Sequence, residues 1–127
     1  MTERSRISSG SPYESRYGFC RAVRIGDRVI VAGTAPIWPD GTCAPDAYAQ
    51  AKRCLEIIVA ALKEAGAEPR HVVRTRMFIT DPADQDAVGR AHGEVMNEAR
   101  PASTMVVVSA LLDPRWKVEI EAEADLS

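Results

Sequence analysis

Apolar positions recur along the chain with two different periods, and the switches between them mark the elements. Two β-compatible runs, Phe19 to Ile25 and Val29 to Ala32, flank Gly26-Asp27 and are expected to form a hairpin. Gly33-Thr34-Ala35-Pro36 closes the second run, and Trp38-Pro39-Asp40-Gly41 has the composition of a turn. From Pro45-Asp46 to about Ala65 the period lengthens, so that Leu55, Ile58, Val59 and Leu62 share one stripe of a helix that Gly66 ends. Alternation returns between His71 and Thr80, with Val73, Thr75, Met77 and Ile79 expected on one face and Val72, Arg74, Arg76 and Phe78 on the other. Asp81-Pro82-Ala83-Asp84 then supplies a cap, a first-turn proline and an acidic first turn. The helix it opens has Val88, Ala91 or His92, Val95 and Met96 on its apolar face, and Pro101 forbids its continuation. Thr104 to Val108 reads as a buried strand, and Val118 to Ala124 alternates strictly, with Glu119, Glu121 and Glu123 facing away from Val118, Ile120, Ala122 and Ala124.

The resulting order, ββ-α-β-α-ββ, is an α+β layer: a mixed sheet of five or six strands with two helices on one face. Residues 1–16 read as a polar lead-in with a short strand at Ile7, and no repeat or low-complexity linker divides the rest, so residues 1–127 are expected to be a single domain. Two helices leave the second face of the sheet uncovered. Val106, Val107 and Val108 put apolar side chains on both faces of one strand, which predicts a homo-oligomer whose sheets face each other.

Charge and composition narrow the partners. Sixteen basic against eighteen acidic residues leave a formal charge of -2, which offers no surplus cation for a nucleic-acid backbone. Apolar runs fall short of the roughly 20 residues a membrane span needs, and the first residues lead into Ser, Gly and Pro rather than a signal-like apolar core. Cys20, Cys43 and Cys54 form no CxxC pair, which fits a reducing compartment, and a cytoplasmic location is expected. His71 and His92 have no cysteine at zinc-ligand spacing, so neither a metal nor a cofactor is expected.

Three segments in order resemble the RidA/YjgF family: Gly18-Phe19-Cys20-Arg21-Ala22-Val23 with Val31-Ala32-Gly33-Thr34, then Arg100-Pro101-Ala102-Ser103-Thr104-Met105-Val106, then Val118-Glu119-Ile120-Glu121-Ala122. Helix residues Ala49-Gln50-Ala51 and Leu55 fit as well, and the similarity runs from residue 17 to 124. The resemblance implies a chorismate-mutase-like fold, a homotrimer with sheets facing inward, and clefts between subunits that take a small-molecule metabolite. Its archetypal activity is hydrolysis of enamines and imines derived from amino acids, without a cofactor. By the same resemblance Glu121 is the candidate catalytic residue, and Phe19, Gly33, Thr34, Ser103 and Thr104 are candidate substrate-binding residues, to which Arg76 is added as a cation close to them.

The chain departs from the deaminase members at three places. Their arginine, two residues after the proline in a Pro-Ala-Arg-Ser pattern, is suited to grip a carboxylate bidentately, and here that position is Ser103. Phe19 stands in place of a tyrosine, and Val107 where a glutamate is frequent. Arg76 or Arg100 is the expected substitute for the lost charge. The plain structural readings stand beside these: Glu121 on a solvated acidic face, Ser103 and Thr104 as strand-entry residues, Phe19 and His92 as packing, and Arg74 and Arg76 in ion pairs with the terminal glutamates. A non-catalytic metabolite-binding trimer is the alternative function. An endoribonuclease or translation inhibitor is the weaker one, because the chain lacks a basic, aromatic stripe.

Overall fold

The computed structural model describes residues 3–127. Its strands are β1 (Arg4–Ile7), β2 (Ala22–Ile25), β3 (Arg28–Thr34), β4 (Val72–Ile79), β5 (Ala102–Val107) and β6 (Val118–Asp125); its helices are α1 (Pro12–Tyr17), α2 (Ala47–Glu64) and α3 (Gln85–Met96). One mixed six-stranded sheet results, in the order β1-β2-β3-β6-β4-β5. Every neighbouring pair is antiparallel except β4 and β5, whose parallel pairing requires a crossover that α3 provides. The last strand in sequence therefore lies inside the sheet, and its alternating pattern suits that place: Val118, Ile120, Ala122 and Ala124 are buried beneath the helices.

Helix α2 packs on β3 and β6 through Ala51, Cys54, Leu55, Ile58 and Leu62, all fully buried. Its first residue is Ala47, because the Asp46 carboxylate caps the helix by accepting from the Ala49 backbone amide at 3.0 Å. Gly66, at φ +89°, turns the chain away at the other end. Losing that cap in Asp46→Ala is expected to cost about 1 kcal/mol, read as a lower urea midpoint at unchanged slope.

One expectation is extended and three change. The short strand expected at Ile7 is β1, which pairs with β2, and the lead-in adds a helix the pattern did not predict: α1 forms because Ser11 caps it and the Ser8 and Ser9 hydroxyls donate to the Glu14 carboxylate. The strand expected from Phe19 begins at Ala22, although the Arg21 backbone still bonds to both neighbouring strands, its amide donating to the Ile7 carbonyl and its carbonyl accepting from the Ala32 amide. Strand β4 carries a bulge: Val72 pairs with Ala124 and Arg74 with the adjacent Glu123, so Val73 is an inserted residue. Val72 thereby turns into the core and Val73 out to solvent, the reverse of the uninterrupted alternation. Finally, the strand expected to be buried, β5, is an edge strand bonded only to β4, and Val106 and Val107 are 42% and 53% exposed in the single chain.

Candidate functional site

The sheet face turned away from α2 and α3 carries most of the charged candidates. Register puts Arg76 opposite both Glu121 of β6 and Thr104 of β5, with Phe78 one step along, opposite Glu119 and Val106. Arg76 donates from Nη1 to Glu121 Oε1 at 2.6 Å, so this arginine is held by a carboxylate rather than open to a ligand. Both side chains are partly exposed, which limits the pair to about 1 kcal/mol or less of stability. The carboxylate also holds the Arg76 guanidinium proton more firmly than usual. Its neighbour Arg74 makes no ion pair among the described residues and lines a shallow depression with Ile30, Ala32, Arg76, Glu121 and Glu123. That depression holds about 160 Å³, well below the roughly 300 Å³ at which small-molecule pockets begin.

A second bulge shapes the β3 side. Val31 pairs with Ala122 and Thr34 with Ile120, leaving Ala32 and Gly33 together against Glu121. Gly33 is there for a steric reason: a Cβ would sit 2.8 Å from Glu119 Oε2. Arg21 donates from Nη2 to the Gly33 carbonyl at 2.6 Å, while its Nε is buried without a partner. Burial weakens the hold of Arg21 on its proton, opposed by Glu14 and Glu119, and burial likewise raises the Glu119 carboxyl above the ordinary range. Phe19, 47% exposed, follows α1, its amide donating to the Glu14 carbonyl. Thr34 does not join this group; it is buried on the helix side and donates to the Ala32 carbonyl at 2.8 Å.

Ser103 lies elsewhere again. It pairs with Thr75, whose side chain is buried under α3, so Ser103 points to the helix side of the free edge while Thr104 points to the open face. Its Oγ is 2.8 Å from Thr75 Oγ1, which is in turn 2.8 Å from His92 Nε2. Arg100 is exposed beyond α3, at φ +49°, with its amide donating to the Met96 carbonyl. Strands β3 and β5 are separated by two others, so Gly33 and the Ser103 edge are roughly 14 Å apart at ordinary strand spacing. The chain brings Arg76, Glu121 and Thr104 together, sets Gly33 against Glu121, and keeps Gly33 apart from Ser103.

Residue types alone did not single out Thr75, Arg21 or Glu119 as parts of these clusters. A signal for Thr75 existed: it is a lone hydroxyl on the strand face shared with Met77 and Ile79, and a buried hydroxyl must find partners. Among the described residues no three His, Cys, Asp or Glu side chains gather as metal ligands would, and no helix is long and apolar enough to cross a membrane.

A mixed six-stranded sheet with helices on one side, and a set of polar candidates divided between its two faces, defines a small α+β protein of the YjgF/UK114 fold. The chain belongs to the endoribonuclease L-PSP family, the RidA/YjgF family, whose model matches residues 10–126. A member of the YjgF/YER057c/UK114 family from Mycobacterium tuberculosis superposes with a TM-score of 0.89 at 43% identity, over 97% of this chain and 99% of its own. A Streptomyces coelicolor protein is 44% identical over 94% of this chain and 90% of its own length. The 2-iminobutanoate/2-iminopropanoate deaminase of Salmonella typhimurium is 34% identical over 84% of this chain and 85% of its own.

Proposed function

We propose that this protein assembles as a homotrimer with small-molecule clefts between copies and hydrolyses small imines or enamines there, without the carboxylate-anchoring arginine of the deaminase members. The observation that carries the reading is the division of the candidate residues: Gly33 on β3 lies three strand positions from Ser103 on β5, and only a second copy can bring the two sides together. The open face that would meet that copy carries Ile30, Val73 and Val106, each exposed in the single chain. The name of the Salmonella relative supports the reaction class.

In this reading Glu121 orients the attacking water, Phe19 and Gly33 wall the carbon centre, and Thr104 faces Arg76 on the open face. The substitute cation is Arg74 rather than Arg76 or Arg100, since Arg76 is committed to Glu121 and Arg100 lies beyond α3. Hydrolysis of a C=N bond consumes only water, so no cofactor or metal takes part. Free cysteines and the absence of a cation surplus fit a cytoplasmic protein that does not bind nucleic acid.

Turnover of 2-iminobutanoate generated in situ tests the reading. Glu121→Gln is expected to lower kcat by about 100-fold, the range for losing one positioned acid–base group. Stabilisation by 2-oxo acids in thermal shift, with no turnover of any imine, would instead establish a binding protein, the function favoured if the Arg76 pair keeps Glu121 from acting on water.

A further inference from the structure

Ser103, Thr75 and His92 make a continuous line from the exposed edge of β5 to the sheet-facing side of α3. Ser103 Oγ and Thr75 Oγ1 are 2.8 Å apart, Thr75 Oγ1 and His92 Nε2 are 2.8 Å apart, and Thr75 is buried between them. Each hydroxyl owns one hydrogen, so the line has two self-consistent arrangements. In one, His92 Nε2–H donates to Thr75, Thr75 to Ser103, and the Ser103 hydrogen points outward. In the other, Ser103 donates to Thr75 and Thr75 to a bare Nε2. Passing one proton along the line converts one arrangement into the other without moving a heavy atom.

We propose that this line is a proton relay, with Ser103 as a catalytic acid–base group touching the bound imine or its water and with Thr75 and His92 acting through it. The inference rests on the imine-hydrolase reading above. Its second support is spatial: on the seam between α3 and β5, an open trough of about 530 Å³ is lined by Gln85, Asp86, Gly89, Arg90 and Met105. Met105 is two residues from Ser103 on the same face of β5, and Gly89 is one helical turn before His92. Ser103 itself is exposed at this edge, the edge that the proposed function brings against the Phe19 and Gly33 side of a second copy. Burial, with no charged neighbour contributing, holds the His92 imidazole below its ordinary value, so at neutral pH it is an unprotonated base.

The steps balance. Water adds to the iminium carbon, the C–O bond forms, and the C=N π pair returns to nitrogen. One water proton passes to Ser103 as the Ser103 proton passes to Thr75 and the Thr75 proton to His92, leaving a neutral carbinolamine and an imidazolium. The imidazolium proton then returns along the line to the amine nitrogen. The C–N bond breaks, ammonia departs, and the hydroxyl proton of the carbinolamine goes with it as ammonium. Iminium and water have become carbonyl and ammonium, and His92 is neutral again.

The test compares kcat and KM on in situ 2-iminobutanoate for the wild type, Ser103→Ala, Thr75→Val, Thr75→Ser and Ser103→Ala/Thr75→Val. Thr75→Val keeps the shape and removes the hydroxyl, whereas Thr75→Ser keeps the hydroxyl. Both Ser103→Ala and Thr75→Val are expected to lower kcat by about 100-fold with KM little changed. The double variant should be no worse than either single one, and Thr75→Ser should recover most of the rate. Ser103 is exposed at an edge, so its variant tests the relay even if a Thr75 variant fails to fold. Wild-type kcat in Ser103→Ala, or equal loss in Thr75→Ser and Thr75→Val, would overturn the relay and leave the hydrolase reading intact. Absence of imine turnover in the wild type would overturn both.

Discussion

Replacing Gln50 with leucine is expected to lower stability by about 3 kcal/mol, the cost of leaving several buried polar groups unpaired. The Gln50 side chain is fully buried, and its amide serves three loop positions at once. Nε2 donates to the Ala44 carbonyl at 2.7 Å and to the Arg115 carbonyl at 2.9 Å, while Oε1 accepts from the Lys117 amide at 2.7 Å. One residue of α2 thus ties the loop before the helix to the segment that leads into β6. Leucine is close to glutamine in volume, so the loss would come from unpaired backbone groups rather than from a cavity. Thermal unfolding should show a midpoint lower by roughly 10 °C for a chain of this size. A change of less than about 0.5 kcal/mol, the range of ordinary surface substitutions, would mean that the two loops are anchored independently of Gln50.

The second large effect is expected at the open face. Val106→Asp places a carboxylate at a position 42% exposed in the single chain, next to Phe78. The isolated chain should tolerate it, because the edge strand leaves the new charge in water. An assembly that closes over this face would bury the charge without a partner at every repeated contact, at a cost of about 3 kcal/mol or more per contact. That corresponds to roughly a hundredfold weaker association for each. Circular dichroism should therefore report a folded chain, sedimentation a dissociated one, and imine turnover should be lost together with the assembly. Persistence of the wild-type assembly in Val106→Asp would place the contact surface elsewhere.

Much of this architecture was readable from local pattern. Helix α2 announced itself through Leu55, Ile58 and Leu62, its Asp46 cap and its Gly66 stop, because those signals lie within a few turns of one another. The strict alternation of β6 gave its inner and outer faces directly. Features set by pairing between distant segments were not readable. The inserted Val73 exists only relative to Ala124 and Glu123, and the pair Ala32 and Gly33 only relative to Glu121. Helix α1 has no apolar stripe, and its Ser11 cap and the Glu14 contacts to Ser8 and Ser9 are visible only once the chain is folded.

The candidate site was legible in composition and less so in direction. Arg76 and Glu121 meet as the alternating charges of β4 and β6 suggested, in the ion pair that a plain structural reading expects. Ser103 and Thr104 are adjacent in sequence and so project to opposite faces of β5, which separates two residues the sequence groups together. Thr34 faces the core for the same reason of parity, shifted by the β3 bulge. His92 is packed and hydrogen-bonded, but its partner is the Thr75 hydroxyl, and through it the chain of contacts extends to Ser103.

Completion of the site between copies can be read by measuring mass and turnover in the same sample. Light scattering of the wild type at micromolar concentration should give three times the chain mass of 13.8 kDa. On dilution, imine turnover per chain should fall as that species dissociates. A 13.8 kDa species that turns over imines at an undiminished rate per chain would show that one chain holds the whole site.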